Sequence, residues 1–266
     1  MALPLRDDEA TRRFPWVTVM LIAVNVVVFL FVQPSAYQNP PRQNDHSFDA
    51  VRRSNERAVF AYKWGTVPCE IASGSERITE PAECPRRDGA PLPAHKDVYL
   101  ALLTGMFIHA SLLHLGGNML FLWVFGNNVE DRLGRLGFLV FYLVGGVVAD
   151  LGYVASKLHS GGPAFGASGA IAAAMGAYLV FHPRGKVLTA LYAGTVQLVY
   201  LPAAVVLGLF FVTQFFTPDK GVAWQAHAVG MGFGFVAALA LTRLPSVRRR
   251  AEAHDADAAQ QTWAAF

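Results

Sequence analysis

The chain has 266 residues and a formal net charge of +3, and its composition is 53% hydrophobic and only 15% charged. Soluble domains carry about a quarter charged residues, so a soluble globular protein is excluded as the expected class. The small net charge, without a basic face interleaved with aromatic residues, gives no reason to expect a nucleic-acid partner. Apolar runs of about 20 residues, separated by short charged blocks, instead predict an all-α, polytopic protein embedded in a lipid bilayer.

The N-terminal part is predicted to hold a cytoplasmic segment over residues 1–15 and the first transmembrane helix over residues 16–33. Two arginines precede this apolar run, as in a cleaved signal peptide. However, the run is longer than the usual apolar part of a signal, and no clear small-x-small cleavage site follows it. We therefore expect it to remain as a membrane helix.

A polar insertion over residues 34–98 is expected on the extracytoplasmic side. Within it, residues 48–64 form a short amphipathic stretch that indicates a helix. Cys69 and Cys84 are the two cysteines of the chain, and both lie in this insertion. An oxidising compartment would allow a disulfide between them, and two free thiols are the alternative. A zinc site is poorly supported because no histidine pair lies nearby.

Residues 99–244 are predicted to supply five further membrane helices. In chain order, these cover residues 112–127, 136–156, 165–181, 202–216 and 223–244. Residues 187–201 are apolar but interrupted by polar residues and glycine, which indicates a segment that lies partly along the membrane interface. Residues 245–266 are polar and Ala-rich and are expected to form a disordered cytoplasmic tail.

The lysines and arginines of the short loops predict the orientation, because positive charge accumulates on the cytoplasmic side. Six helices place both termini on the same side. That side would carry Arg12, Arg13, Arg132, Arg135, Arg184, Lys186, Arg243 and Arg248 to Arg250, whereas the other would carry Lys157 and Lys220. Both termini are therefore expected in the cytoplasm.

Four polar side chains are predicted at one depth, beneath the outer face of the membrane. His114 and Asn118 lie in the early turns of the second helix, Ser168 in the first turn of the fourth, and His227 in the first turns of the sixth. All three helices enter the membrane from outside in the expected topology. Polar groups at membrane depth are costly and are functional candidates by default.

Small residues on two of these helices predict close packing. Gly230 and Gly234 lie three and seven residues after the histidine, on one helix face. Ser168, Ala172 and Gly176 share a face of the fourth helix. Small residues let membrane helices approach closely, so pressing these faces together would bring the serine hydroxyl to the imidazole.

The chemistry that fits these residues is acyl transfer. A serine hydroxyl is a weak nucleophile until a neighbouring base removes its proton, and His227 is suited to that role for Ser168. The resulting oxyanion needs hydrogen-bond donors, which His114, Asn118 and the backbone N–H of Ser168 would supply. Asp150 is in no evident register with the histidine, so a Ser–His dyad is expected rather than a triad.

Each of these residues also has an ordinary structural explanation. Serine among small residues is usually a packing contact in a membrane helix, and Ser168 lacks the glycine two places later that marks the hydrolase elbow. His114 and Asn118 alone would be explained by an interhelical hydrogen bond. Glu130 and Arg132 are typical of a structural pair at a cytoplasmic helix end. The joint pattern, rather than any single residue, favours catalysis.

Four motifs in this order resemble those of the rhomboid intramembrane serine proteases. They are HLGGN at 114–118, EDRLG at 130–134, GASG at 166–169 and AHAVGMGFG at 226–234. The resemblance implies that Ser168 is the nucleophile, that His227 is the general base, and that His114 and Asn118 help to form the oxyanion hole. It also implies transmembrane protein substrates cut near the outer face, no metal and no organic cofactor, and a bacterial cytoplasmic membrane as the location.

The chain departs from the family pattern at two places. Many relatives carry a Trp-Arg pair in the stretch that residues 99–102 occupy here. Many also carry a tyrosine at the position of Ala172, where it stacks on the catalytic histidine. His227 is therefore expected either to be held less firmly or to be held by another residue, such as Phe165 or Trp224.

Two other functions compete with proteolysis. A rhomboid-like protein that binds or retains membrane clients without cutting them is the main alternative, although such proteins generally lose the dyad. A small-solute transporter would need paired charges at the midplane or an inverted repeat, and the sequence has neither. The oligomeric state and the substrate do not follow from the sequence.

Overall fold

The computed structural model describes residues 2–42, 45, 47–74, 84, 96–192, 195–216 and 223–264. The helices, in chain order, are α1 (Trp16–Val27), α2 (Phe48–Trp64), α3 (Pro68–Ser73), α4 (Ala101–Thr104), α5 (Leu112–Phe121), α6 (Asn127–Leu133), α7 (Arg135–Ser156), α8 (Ser168–Phe181), α9 (Ala203–Phe216), α10 (Trp224–Leu241) and α11 (Pro245–Ala264). A π-helical turn extends α1 over Val28–Val32, and a second one, Leu122–Gly126, joins α5 to α6. The predicted helix in the insertion matches α2. Lys220 and most of the central part of the insertion lie outside the described residues.

A small sheet interrupts the otherwise helical chain. Its strands are β1 (Ala2–Asp7), β2 (Lys186–Tyr192) and β3 (Val196–Pro202), which pair antiparallel in the order β1-β2-β3. The chain is mostly helical, as expected, but the prediction of an all-α protein missed this sheet. The segment 187–201 was expected to lie partly along the membrane interface; in the structure it forms β2, where Val187 and Thr189 are buried, and β3, whose residues are half-buried or exposed.

Six apolar helical segments follow one another in the predicted order. Within the described ranges, α7 and α10 are each long and apolar enough to cross a bilayer, and the pair Ala101–Phe107 and Leu112–Leu133 would make a third crossing bent by 96°. The apolar helices Trp16–Val32, Ser168–Phe181 and Ala203–Gln214 are shorter than the roughly 20 residues of a straight crossing. The count of six crossings therefore stays a prediction.

Helix α8 forms the centre of the bundle. Every residue from Gly169 to Tyr178 is buried, although the helix consists largely of alanine and glycine. Its neighbours are α7 and α10, which pack along its length. Because α8 is apolar and buried on all sides, the other helices pack around it.

Glycines allow α8 and α10 to approach until their backbones touch. A Cβ atom on Gly230 would overlap the carbonyl oxygen of Gly169, and one on Gly234 would overlap that of Ala173. In the other direction, a Cβ on Gly176 would overlap the backbone of Met231. The predicted packing role of Gly230 and Gly234 therefore agrees with the contact between these helices. The α8 residues at this backbone contact are 169, 173 and 176, so Gly176 is the member of the predicted face that takes part in it.

Glu130 joins the start of α1 to α6. Its carboxylate accepts hydrogen bonds from the backbone N–H of Val17 (3.0 Å) and of Thr18 (2.8 Å), and from the hydroxyl of Thr18 (2.8 Å). The first N–H groups of a helix have no partner within the helix, and a carboxylate both satisfies them and interacts favourably with the helix dipole. Glu130 therefore acts as a buried cap of the first helix, in addition to any pairing at its own helix end.

The C-terminal segment is helical rather than disordered. The expectation of a disordered tail over residues 245–266 is wrong for Pro245–Ala264, which form α11. The Nε2 atom of His254 lies 3.0 Å from the carbonyl oxygen of Ala10, and the guanidinium of Arg250 donates to the carbonyl oxygen of Arg132 at 3.5 Å. These contacts attach the helix to the N-terminal segment and to α6.

Asp7, at the end of β1, attaches the sheet to the helices. The carboxyl group accepts hydrogen bonds from the Nδ2 group of Asn128 and from the hydroxyl of Tyr178, the latter at 3.1 Å. Burial raises the pKa of Asp7 from 3.8 to about 7, and the Tyr178 hydrogen bond opposes that shift. A raised pKa in the folded state means that the contribution of Asp7 to stability is complete below pH 3.8 and is lost as the pH rises through 7.

We expect Gly234→Val to separate α8 from α10 and to lower the free energy of unfolding by about 1–3 kcal/mol, the usual cost of overpacking. Gly232→Val, on the same helix, is the matched control. A Cβ atom at Gly232 would meet no atom of a neighbouring element within 4 Å among the described residues. Thermal unfolding of both variants in detergent micelles measures the difference. Equal melting temperatures for the two variants would contradict the close contact.

We expect Asp7→Asn to become more stable relative to the wild type as the pH rises from about 5 to about 8. The amide oxygen still accepts from Asn128 and Tyr178 but carries no charge that is costly to bury. The measurement is the difference in melting temperature between variant and wild type at several pH values. A difference that does not change with pH would show that Asp7 does not titrate in this range.

Candidate active site

Ser168 and His227 lie within hydrogen-bond distance of each other. The Oγ atom of Ser168 is 2.7 Å from Nε2 of His227. Ser168 begins α8 and is half-buried, whereas His227 lies in the first turn of α10 and is 6% exposed. The backbone contact between these helices places their two N-terminal ends side by side. A hydroxyl and an imidazole in this arrangement can exchange a proton.

Gly166 makes room for His114 beside the serine. Its φ of +136° is a conformation that side-chain-bearing residues rarely adopt. A Cβ atom at Gly166 would lie 3.0 Å from Cε1 and 3.3 Å from Nε2 of His114, and 3.8 Å from the hydroxyl oxygen of Ser168. The imidazole of His114 therefore lies against the backbone just before the serine. The structure thus brings His114 to the site, as predicted.

The hydrogen bonds of His114 indicate which of its ring nitrogens is protonated. Nδ1 accepts from the backbone N–H of Ala110 at 3.3 Å. In a neutral imidazole, one nitrogen accepts and the other donates, so Nε2 carries the hydrogen. That nitrogen is the one nearer to Gly166, and it is available as a donor on the Ser168 side. The edge of His109 packs against the same ring, with 5.2 Å between centroids.

Asn118 lies one helical turn after His114 and is 8% exposed. Its Nδ2 group is buried and has no hydrogen-bond partner among the described residues. Leaving a buried donor unsatisfied costs about 1–3 kcal/mol, so such groups in native proteins require an explanation. A donor that is kept for a transient acceptor is one explanation, which agrees with the predicted role of Asn118.

Gln214 and Phe210 hold the other side of His227, and the sequence analysis missed both. The Oε1 atom of Gln214 is 3.1 Å from Nδ1 of His227, and the ring of Phe210 is 6.1 Å from the imidazole, tilted by 41°. Of the two aromatic residues suggested for this role, Phe165 packs edge-on against Tyr37. The sequence signal that could have identified Gln214 was its single amide side chain within the apolar run 202–216.

The loop that leads to Ser168 is fixed by backbone hydrogen bonds. Ala164 and Thr66 exchange two of them, at 2.8 and 2.9 Å, and the N–H of Gly166 donates to the carbonyl oxygen of Gly105 at 2.9 Å. The hydroxyl of Thr66 also donates to the carboxylate of Asp150 at 3.0 Å. Asp150 therefore supports the loop through Thr66, in keeping with its lack of register with the histidine.

The insertion is fastened around Thr66 by two further links. Cys69 and Cys84 form a disulfide, and the N–H of Cys69 donates to the carbonyl oxygen of Ser160 at 3.2 Å. Lys96 forms a buried ion pair with Glu70, with 2.6 Å between Nζ and Oε2. Both links lie next to the segment that pairs with the serine loop. Within the described residues, no cluster of three or more His, Cys, Asp or Glu is placed to hold a metal ion.

Comparison with known proteins gives one consistent result. A family model described as the Rhomboid domain matches residues 96–244. Rhomboid protease GluP of Bacillus subtilis is 34% identical over 140 residues, which cover 53% of this chain and 25% of that protein. Human presenilin-associated rhomboid-like protein, mitochondrial, is 35% identical over 96 residues, or 35% of this chain and 25% of that protein.

The chain spans about a quarter of the length of the curated relatives that it matches. The yeast relative, Rhomboid protein 1, mitochondrial, from Saccharomyces cerevisiae, is 33% identical over 93 residues, with 34% of this chain and 27% of that protein covered. The family model, by contrast, covers more than half of the chain and includes all four predicted site residues. The chain therefore belongs to the rhomboid family, whose members are embedded in membranes.

Proposed function

We propose that this protein is an intramembrane serine endopeptidase in which Ser168 and His227 form the reacting pair. The observation that supports this most directly is the distance of 2.7 Å between the serine hydroxyl and the histidine Nε2. The name of the Bacillus relative, a rhomboid protease, points to the same chemistry. A hydroxyl next to an imidazole is the arrangement in which a base activates an alcohol for acyl transfer.

The reaction would proceed in two acyl-transfer steps. Nε2 of His227 takes the proton as Oγ of Ser168 attacks the scissile carbonyl carbon, and the carbonyl oxygen becomes an oxyanion. The peptide C–N bond then breaks, and the imidazolium gives its proton to the leaving amine. A water molecule, deprotonated by the same imidazole, attacks the acyl carbon. The bond from that carbon to Oγ of Ser168 then breaks, and the imidazolium returns its proton to Oγ.

The donors for the oxyanion come from two helices. The Nε2–H group of His114 lies beside Gly166 and near Ser168. The buried Nδ2 group of Asn118 is free of partners among the described residues. The N–H of Ser168 adds to these as one of the first N–H groups of α8, which have no partner within the helix. Donors that are fixed before the charge develops are worth about 10²- to 10³-fold each in rate.

The substrates proposed are transmembrane protein segments, and the proposed location is a bacterial cytoplasmic membrane. His114, Ser168 and His227 all lie at the N-terminal ends of their helices, so they share one end of the bundle. With both termini in the cytoplasm, as the loop charges predict, that end opens to the outside. Water and an unwound substrate segment would reach the site from there.

We expect Ser168→Ala to abolish covalent labelling by a fluorophosphonate probe and to abolish cleavage of tagged single-span proteins co-expressed with the chain. Ser156→Ala, at the exposed end of α7, is the matched control and should behave as the wild type. Equal labelling of Ser168→Ala and the wild type would count against the dyad. Uncleaved clients that co-purify equally with both would instead favour a binding protein.

We expect Asn118→Ala to lower kcat by roughly 10- to 1,000-fold, as for other oxyanion donors, while the melting temperature is unchanged or higher. The reason is that truncation removes a donor that has no partner in the resting protein but would have one in the transition state. Steady-state cleavage and thermal unfolding measure the two effects. A loss of stability that parallels the loss of rate would assign Asn118 a structural role instead.

A further inference from the structure

We infer that Gln214 is a positioning residue that fixes the tautomer and the orientation of His227, which makes the reacting group a Ser–His–Gln triad. The inference rests on the proposed hydrolase function and goes beyond the dyad expected from the sequence. Gln214 lies two residues before the end of α9, with its side chain partly buried. The tautomer of His227 depends on which atom of this amide faces the histidine.

The nitrogen side of the amide is identified by its own helix. Nε2 of Gln214 donates to the carbonyl oxygen of Phe210, one turn earlier, at 3.4 Å. A carbonyl oxygen only accepts hydrogen bonds, so the amide nitrogen, and not the amide oxygen, must face it. Oε1 is therefore the atom that lies 3.1 Å from Nδ1 of His227.

This amide orientation specifies the tautomer of the histidine. An amide oxygen only accepts, so Nδ1 of His227 carries the hydrogen that it donates to Gln214. In a neutral imidazole, the lone pair is then on Nε2. That nitrogen lies 2.7 Å from the hydroxyl of Ser168 and can accept its proton. From Ser168 through His227 and Gln214 to the carbonyl of Phe210, each donor has one acceptor.

The general need of a polar side chain for hydrogen-bond partners explains this arrangement less well than a positioning role does. A glutamine in an apolar helix can satisfy its nitrogen on the carbonyl four residues earlier, as Gln214 does. Its oxygen is satisfied on the histidine, a group that must change its protonation state if the proposed reaction occurs. Because Oε1 also accepts from the protonated imidazolium, the contact persists through the reaction. An uncharged oxygen stabilises that cation less than the carboxylate of a Ser–His–Asp triad.

The same turn of α9 also restricts rotation of the imidazole. The ring of Phe210 packs 6.1 Å from His227, on the helix that supplies the amide. The hydrogen bond therefore specifies which nitrogen faces Ser168, and the aromatic contact limits how far the ring can turn. Both restraints come from one helix, so the competence of the site depends on where the outer end of α9 lies relative to α10.

The test is a series of substitutions at Gln214 in the full-length protein in liposomes. Gln214→Met is nearly isosteric but lacks the acceptor, and we expect kcat to fall roughly 10- to 100-fold with KM changed less than about 2-fold. Gln214→Glu keeps the acceptor and should retain activity. Its carboxylate favours the protonated imidazole, so the acidic limb of the pH profile of kcat/KM should move to higher pH. Gln197→Met, on the exposed edge strand, makes the same chemical change away from the site and should match the wild type.

If Gln214→Met keeps the kcat and the pH profile of the wild type while Ser168→Ala is inactive, the positioning role is overturned and the protease proposal stays intact. If the wild type itself neither cleaves nor labels, the protease proposal fails, and a second measurement still tests Gln214. Solid-state ¹⁵N spectra of histidine-labelled Ser168→Ala in bilayers report the tautomer without activity, with the His227 signals assigned by their loss in His227→Ala. We expect the Nδ1–H tautomer of His227 when Gln214 is present and a loss of that preference in Gln214→Met. An unchanged tautomer would overturn the inference.

Discussion

The backbones of α8 and α10 touch because Gly176, Gly230 and Gly234 leave no side chain between them. Lipid tails are as apolar as leucine, so membrane helices gain little from a hydrophobic effect and associate through close packing instead. Ser168 starts one of these helices, and His227 lies three residues before Gly230 on the other. The contact therefore holds the hydroxyl and the imidazole together, and larger residues at the glycines would move both helix ends apart.

The insertion and the helices of the bundle together hold the loop before Ser168. Thr66 pairs with Ala164 through two backbone hydrogen bonds and with Asp150 through its hydroxyl. The disulfide and the buried Lys96–Glu70 pair both follow Thr66 in the chain and begin at Cys69 and Glu70. A site that must hold a donor geometry to within about 0.5 Å needs such support beneath it. The insertion is thus part of the framework of the site, whatever else it binds.

The helices and the proximity of Ser168 to His227 could be predicted from the sequence because both depend on local patterns and regular spacing. Long apolar runs indicate membrane helices, and polar residues such as Ser168 and His227 stand out within them. The sheet was missed because β1 and β2 are about 180 residues apart, and their pairing depends on contacts that no local pattern reveals. The helical tail was missed because its polar composition resembles that of a disordered segment, whereas its anchor, His254, contacts the distant N-terminal segment. Gln214 was missed for a related reason, since its partner is selected by the register of α9 against α10.

Glu130 and Asn118 show the difference between a buried polar group that is satisfied in the resting protein and one that is not. At the start of α1, the Glu130 carboxylate accepts three hydrogen bonds, so it has its hydrogen-bond partners in the resting protein. At the other end of the bundle, Asn118 keeps a buried N–H donor without a partner among the described residues. An unsatisfied donor costs stability in every resting molecule and returns that free energy only when an acceptor arrives. Such a donor is favourable for function when the acceptor that reaches it carries developing charge. The unsatisfied Nδ2 group of Asn118 therefore supports the catalytic role proposed for this residue.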